Sequence, residues 1–216
     1  MKRLLITTGM SVALLCSGNA LAEGIGLGIK VGSLGAGIEV TKGLSDNFNA
    51  RLGFNTFTLD ESGTESDINY AIDLELSNAT LLLDWHPTGG SFRTTAGLVA
   101  NGNELKMTAE SAASYDIGGT TYTPADIGTL SGVVGFDELV PYLGIGWGNA
   151  VEDDQKLTFS FDIGVVFQGS PNVALSTTST VAGLEDDLRV EEQQLEQDLD
   201  KFDLYPVVSL GLAWQF

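Results

Sequence analysis

The chain has 216 residues, with 10 Lys and Arg against 29 Asp and Glu, a formal net charge of −19 at pH 7. That excess argues against nucleic acid as a partner, because neutralising phosphates takes clustered basic side chains. Glycine is abundant, 27 residues, and recurs inside strand-like runs rather than in linkers.

The chain opens MKRLLITTGMSVALLCSGNALA. Lys2 and Arg3 precede a mostly apolar stretch from Leu4 to Cys16, and Ala20-Leu21-Ala22 is a small-x-small cleavage site. This three-part pattern predicts a secretory signal peptide over residues 1–22, exported by the general secretory route, and a mature domain over residues 23–216. The alternatives are a membrane-anchoring helix, which the short interrupted run and missing stop-transfer charges disfavour, and a lipoprotein signal through Cys16. Leu14 and Leu15 stand where that signal wants small residues. Cleavage removes the single cysteine and with it disulfides, Cys-metal sites and thiol catalysis. It leaves eight basic against 29 acidic residues, a formal −21. No later apolar run reaches the roughly 18 residues of a transmembrane helix.

Beyond the leader the period is two. In GIGLGIKVG, Ile25, Leu27, Ile29 and Val31 oppose Gly24, Gly26, Gly28 and Lys30. LGAGIEV and FNARLGFN repeat the pattern, the second setting Phe48, Ala50, Leu52 and Phe54 against Asn49, Arg51, Gly53 and Asn55. INYAIDLELS, FRTTAGLVA, LVPYLGIGWG, LTFSFDIGVVF and the closing LYPVVSLGLAWQF complete eight such segments. Each is long enough to cross a bilayer as a tilted strand of about 9–11 residues. One face is bulky and apolar, the other small, polar and glycine-rich. A soluble barrel carries its bulk inside, so this pattern predicts the apolar face outward in lipid, and hydrocarbon then demands a closed sheet. In the fourth segment Leu76 and the set Leu81, Leu83 and Trp85 have opposite parity. A β-bulge near Ser77-Asn78 would return all of them to lipid and turn Asp84 inward.

Short links at 44–47, 86–90 and 150–156 alternate with long ones at 60–67, 107–132 and 169–203. This is the alternation of short periplasmic turns and longer outer loops. Trp85, Trp147, Trp214, Phe48, Phe92, Phe159 and Phe216 all fall at the periplasmic rim this implies, where an aromatic girdle belongs. The last strand carries Val208, Leu210, Leu212, Trp214 and Phe216 on its outward face. That end resembles the C-terminal signal of Gram-negative outer-membrane β-barrels, which implies the barrel-assembly machinery as a partner. The mature chain, with hairpins such as GLSDNFNARLGF, is similar to the small eight-stranded barrel superfamily of the OmpA membrane domain, OmpX and OmpW. The expected fold is an all-β, antiparallel, up-and-down transmembrane barrel with a short amphipathic helix in the last outer loop.

The inward set holds Lys30, Arg51 and Arg93 against Glu39, Asp73, Glu75, Asp84, Glu138 and Asp162. Buried charges survive when paired, so these residues are expected to form an internal ion-pair network. Turns centred on Ser45 and between Thr88 and Gly89 would put Glu39 opposite Arg51 and Asp84 opposite Arg93. Eight strands leave an interior that side chains normally fill, although inward glycines also permit a narrow wet cavity. In GLEDDLRVEEQQLEQDLDKF, residues 183–202, Leu184, Leu188, Leu195, Leu199 and Phe202 lie at helical spacing. The opposite face is acidic, which fits a helix packed on other loops or one that docks a partner. An alternative is Ca²⁺ or Mg²⁺ bridging to lipopolysaccharide, though no calcium-loop spacing is present. YDIGGTTYTPADIG suggests a small hairpin above the membrane that carries Tyr115 and Tyr122.

The lone His86 lies in a short periplasmic turn with no nucleophile beside it, so no enzyme, cofactor or catalytic metal is expected. The expected role is a monomeric outer-membrane barrel in contact with lipid and lipopolysaccharide. Its lumen would be mostly closed, its function structural or surface-interacting. The alternative is a narrow channel or an OmpW-like route for small hydrophobic solutes. No extracellular ligand is readable.

Overall fold

The computed structural model describes residues 24–65, 68–111, 113–151 and 156–216. The expected leader, residues 1–22, lies outside them. The strands are β1 (Ile25–Gly32), β2 (Gly35–Ser45), β3 (Phe48–Glu65), β4 (Ile68–Trp85), β5 (Phe92–Asn101), β6 (Glu104–Ser111), β7 (Tyr115–Ile117), β8 (Thr120–Tyr122), β9 (Leu130–Gly135), β10 (Leu139–Trp147), β11 (Leu157–Phe167), β12 (Asn172–Thr177) and β13 (Leu204–Gln215). A one-turn helix α1 (Pro124–Ile127) precedes β9, and a longer helix α2 (Leu184–Leu199) precedes β13.

Eight strands close on themselves in the order β1-β2-β3-β4-β5-β10-β11-β13, every pairing antiparallel. Closure removes the edges that an open sheet would present. The period-two sequence sets the two faces. Along β10, Leu139, Pro141, Leu143, Ile145 and Trp147 are exposed on the outside, while Val140 and Tyr142 are buried inside. Ile29 and Leu139 are 63% and 65% exposed, whereas Val140 is 1% exposed. Outside, Trp147 packs edge-on against Phe92 at 5.4 Å between ring centres and stacks near Phe161 at 6.3 Å. Register sets Phe48 opposite Trp85, Trp147 opposite Phe92 and Trp214 opposite Leu157, so the three tryptophans ring one end. We call this the lower end.

At the upper end half of the wall keeps going. β3 and β4 run on together, and β6, β9 and β12 resume above β5, β10 and β11 after short breaks. The neighbour order is preserved, β3-β4-β6-β9-β12 above β3-β4-β5-β10-β11. The result is an open five-stranded collar standing on one side of the mouth. The break between β5 and β6 is pinned by Gly102, whose N–H donates to Ser77 O at 2.9 Å. Asn103 Oδ1 accepts from Ser77 N at 3.2 Å and from Asn78 Nδ2 at 2.9 Å. The sequence suggested long loops here, with a small hairpin and a helix in them, but not the collar strands.

The collar also corrects the reading of the fourth segment. β3 and β4 pair in one continuous register from Phe48↔Trp85 to Glu65↔Ile68, with no bulge at Ser77-Asn78. Leu76 therefore points inward and is 8% exposed. The parity change has another cause: above the wall the apolar face of the sheet is the inner one, because helix and hairpin cover it there. β7 and β8 form that hairpin through Gly118 and Gly119, both at positive φ (58° and 86°), where glycine avoids the Cβ clash. Ala109, Tyr115, Ile117, Tyr122, Ile127, Leu184 and Leu188 form the second apolar core, between collar, hairpin and α2.

Candidate functional site: the barrel interior and the cavity above it

The lower half of the interior is a layer of paired charge. Arg51 on β3 is its hub: Nε lies 2.6 Å from Asp84 Oδ2, Nη1 3.3 Å from Glu39 Oε1 and Nη2 3.2 Å from Asp162 Oδ1. Arg93 Nη2 stands 2.7 Å from the same Asp162 Oδ1 and its Nε 3.7 Å from Asp84 Oδ1. Lys30 Nζ lies 3.2 Å from Glu39 Oε2 and 4.0 Å from Asp162 Oδ2. Thr95 Oγ1 donates to Asp84 Oδ1 at 2.6 Å, and Arg93 Nη1 donates to Gly148 O. Three cations meet three carboxylates, so the cluster is formally neutral, and six strands (β1, β2, β3, β4, β5, β11) contribute to it.

The register behind these pairs differs from the one read off the turns. A bulge between Gly43 and Ser45 sets Arg51 opposite Thr41, and Asp84 stands opposite Thr95. Each pairing is displaced by two residues. A displacement of two keeps every side chain on its face, where one would reverse it, and long arginine side chains span the offset. The structure does not bring Asp73, Glu75 and Glu138 to this cluster. Asp73 and Glu75 lie on the collar, where Glu75 Oε2 is 3.0 Å from Lys106 Nζ, a half-exposed contact shared with Glu104. These hydrogen bonds, that to Glu75 foremost, push the Lys106 ammonium up from its ordinary value. Glu138 is exposed at the mouth. Val208, Leu210, Leu212, Trp214 and Phe216 lie along the outer face of β13 and its end; all but the half-buried Leu212 are exposed.

Below the charged layer His86, at the start of its turn, closes the floor with its ring buried at 1% exposure. Its Nδ1 lies 2.7 Å from Gly90 O and its Nε2 3.1 Å from Asn49 Nδ2. That assigns the proton to Nδ1, because the Gly90 carbonyl can only accept and the Asn49 Nδ2 group can only donate. Asn49 Nδ2 also donates to Asn149 Oδ1 at 3.0 Å.

Above the charged layer sits an apolar plug of Leu34, Leu82, Val99, Val140, Tyr142, Val166 and Val207, with Tyr205 against it. The inward glycines make room for this packing instead of leaving a wet bore. A Cβ on Gly164 would stand 2.6 Å from Tyr142 Cε2, and one on Gly146 would stand 2.7 Å from Asp162 Oδ1. The hollow in the charged layer measures about 10 Å³, room for about one water.

Over the collar, α2 and the β7–β8 hairpin border a larger, half-open cavity of about 560 Å³. Tyr122 Oη donates to Asp187 Oδ2 at 2.6 Å, which fastens hairpin to helix. This bond pulls the Asp187 carboxyl below the usual range and pushes the Tyr122 phenol up. Glu192 and Glu196 accept from the backbone of β12, so part of the acidic face has internal partners. Phe202 is 49% exposed and stands clear of the stripe formed by Leu184 and Leu188. Among the described residues no cluster of His, Cys, Asp and Glu has the arrangement of a metal site.

No family model matches the chain, and no curated protein matches it. It is similar in fold to two solved structures from Acinetobacter baumannii. CarO2 superposes with a TM-score of 0.60 at 20% identity, over 90% of this chain and 99% of that one. CarO superposes with a TM-score of 0.58 at 20% identity, over 91% and 99%. A major outer membrane protein from Thermus thermophilus is more distant, with a TM-score of 0.38 at 15% identity, over 89% and 97%.

Proposed function

We infer that the protein is an integral outer-membrane β-barrel whose interior is a structural core and whose exchange with the surroundings takes place on the collar. The exposed band of Leu, Ile, Phe and Val around the wall supports a lipid contact, since no soluble barrel leaves so much apolar area wet. The tryptophan rim matches a bilayer interface, and the fold likeness to CarO agrees. In this orientation the lower end is periplasmic and the collar faces the medium, where it meets lipopolysaccharide. One observation carries the closed-interior reading: the charged layer holds a hollow of about 10 Å³ and lies beneath a continuous apolar plug. A conducting pore needs an unbroken wet path, and a hydrophobic-solute route would have to pass three buried carboxylates.

Planar-bilayer recording on the purified, refolded protein tests this. The expected result is a silent bilayer, with insertion verified independently by flotation with liposomes. Reproducible unitary current steps from the inserted protein would overturn the closed interior and favour the channel. Sucrose-gradient fractionation tests the location separately: the protein should travel with the outer membrane, and protease added to intact cells should cut within 178–203.

A further inference from the structure

Helix α2 is seated at its start and along one side, and stands off the collar between. Leu184, 1% exposed, and Leu188 pack into the second core, while Glu192 and Glu196 hold the β12 edge. The cavity of about 560 Å³ lies between these anchors. Its floor is one row of register partners across four strands: Ile72↔Met107, Met107↔Gly132 and Gly132↔Leu175. Gly132 explains the hollow. It contributes no side chain at the middle of the row, and a Cβ there would meet only Leu175 Cδ2, at 3.0 Å. Leu195 of α2, half-buried, faces the floor from above. The cavity opens to solvent on one side, so its apolar lining stands against water unless an apolar group covers it. Ligand pockets fall in the range of about 300–1,000 Å³, with apolar walls and a few polar groups that fix orientation.

The charged groups at this cavity share one sign: Asp116, exposed, and Glu191, half-buried, stand at its rim. Asp116 Oδ1 accepts from Thr121 Oγ1 at 2.6 Å, and Glu191 Oε2 accepts the Gly118 N–H at 3.0 Å. Each bond fixes a carboxylate and leaves it acceptor capacity. Among the described residues neither forms an ion pair with a basic side chain.

We propose that this cavity binds a small amphiphilic cation, with its apolar body on the Ile72–Leu175 row and its protonated amine between Asp116 and Glu191. Apolar burial supplies the affinity and the two carboxylates select the charge. The site lies above the apolar plug and works whether or not the interior conducts, so bilayer recordings and this test fail independently.

Met107 is the only methionine after residue 22 and lies in the floor of the cavity. Protein labelled with ¹³C-methyl methionine in lipid nanodiscs therefore reports the site with one resonance. Titration with octylammonium should shift it saturably. Octanoate, with the same tail and opposite charge, should bind more weakly by about tenfold or more. Leu195→Trp fills the hollow from the helix side and should abolish the saturable shift, with folding checked by heat-modifiable gel migration. Glu191→Gln should bring the two probes to within about threefold, since removing one of two rim charges takes away roughly half the selectivity. A linear, non-saturating response to both probes would mean bilayer partitioning only and overturn the site. Equal affinities would overturn the cation class, and undiminished binding by a folded Leu195→Trp would place the ligand elsewhere.

Discussion

Glu192 Oε1 accepts the backbone N–H of Leu175 at 2.7 Å, and one helical turn on, Glu196 Oε1 accepts that of Val173 at 3.1 Å. Four residues of helix advance about 6 Å, and two residues of strand advance about 6.7 Å. The i, i+4 glutamates of an antiparallel helix therefore match the outward N–H groups of an edge strand. β12 is one of the two edges of the open collar, and this cover blocks strand addition by another chain there.

Replacing both glutamates by alanine should raise hydrogen exchange at the Val173 and Leu175 amides by about 10- to 100-fold, in line with about 1.5–3 kcal/mol for a charge-assisted bond. The barrel amides should be unaffected. If the two collar amides exchange at the wild-type rate, the glutamates do not guard the edge.

Arg51 is the shared partner of Glu39, Asp84 and Asp162. Arg51→Met leaves three buried carboxylates facing two cations, and a broken buried ion pair costs about 3–5 kcal/mol. The temperature of heat-modifiable unfolding should fall sharply. Arg51→Met combined with Asp84→Leu restores the charge balance and should recover much of the loss. Two simple additive losses would show that the layer is not held by charge pairing.

The barrel itself was legible because alternation over eight strands, with the bulky apolar face outward, admits one closed solution. Six of the nine charges read as inward, Lys30, Glu39, Arg51, Asp84, Arg93 and Asp162, meet because parity survives a two-residue register shift, even where the assumed turn centres were off. Asp73 and Glu75 were misplaced because alternation alone does not say where a strand leaves the closed wall. Above that level the apolar face moves to the inside, and Leu76 and Ile72 carry the signal of that change, which a bulge explains equally well from sequence alone. The floor row of the cavity and the collar order depend on partners far apart in sequence, such as Met107 with Gly132 and Gly132 with Leu175. Helical spacing of Leu184 and Leu188 predicted α2, but not that Glu192 and Glu196 face a strand edge.

Tyr142 fills the space over Gly144 and Gly164. Gly164→Val would push branched methyl groups into the ring, and overpacking of this kind costs about 1–3 kcal/mol. Tyr142→Ala alone leaves a hole in the plug and should cost about 3–5 kcal/mol. In the double variant the valine partly fills that hole, so the combined loss should be smaller than the sum. Urea unfolding in detergent, followed by tryptophan fluorescence, measures all three. Strict additivity would mean that glycine at 164 serves the strand and not the ring.

The Tyr122–Asp187 bond predicts how attachment of α2 varies with pH. Asp187 is lowered, chiefly by the Tyr122 hydroxyl. Its contribution is therefore present above the ordinary carboxyl value, about 4, and is lost as pH falls through the lower folded value. Tyr122 is raised, chiefly by its bond to Asp187. Its contribution is present below the ordinary phenol value, about 10, and is lost as pH rises through the higher folded one. Tyr122 is buried in the loop core and Asp187 is half-buried, but a single bond is at stake, so each limb should be shallow. Asp126, lowered by the Thr123 hydroxyl, adds to the acid limb. Protease cutting within 178–203 should be slowest between these limits and rise toward both extremes. Tyr122→Phe should abolish the alkaline rise and shrink the acid one to the part carried by Asp126 and by the Thr120 bond to Asp187. An alkaline limb that survives intact in Tyr122→Phe would show that another group fastens the helix.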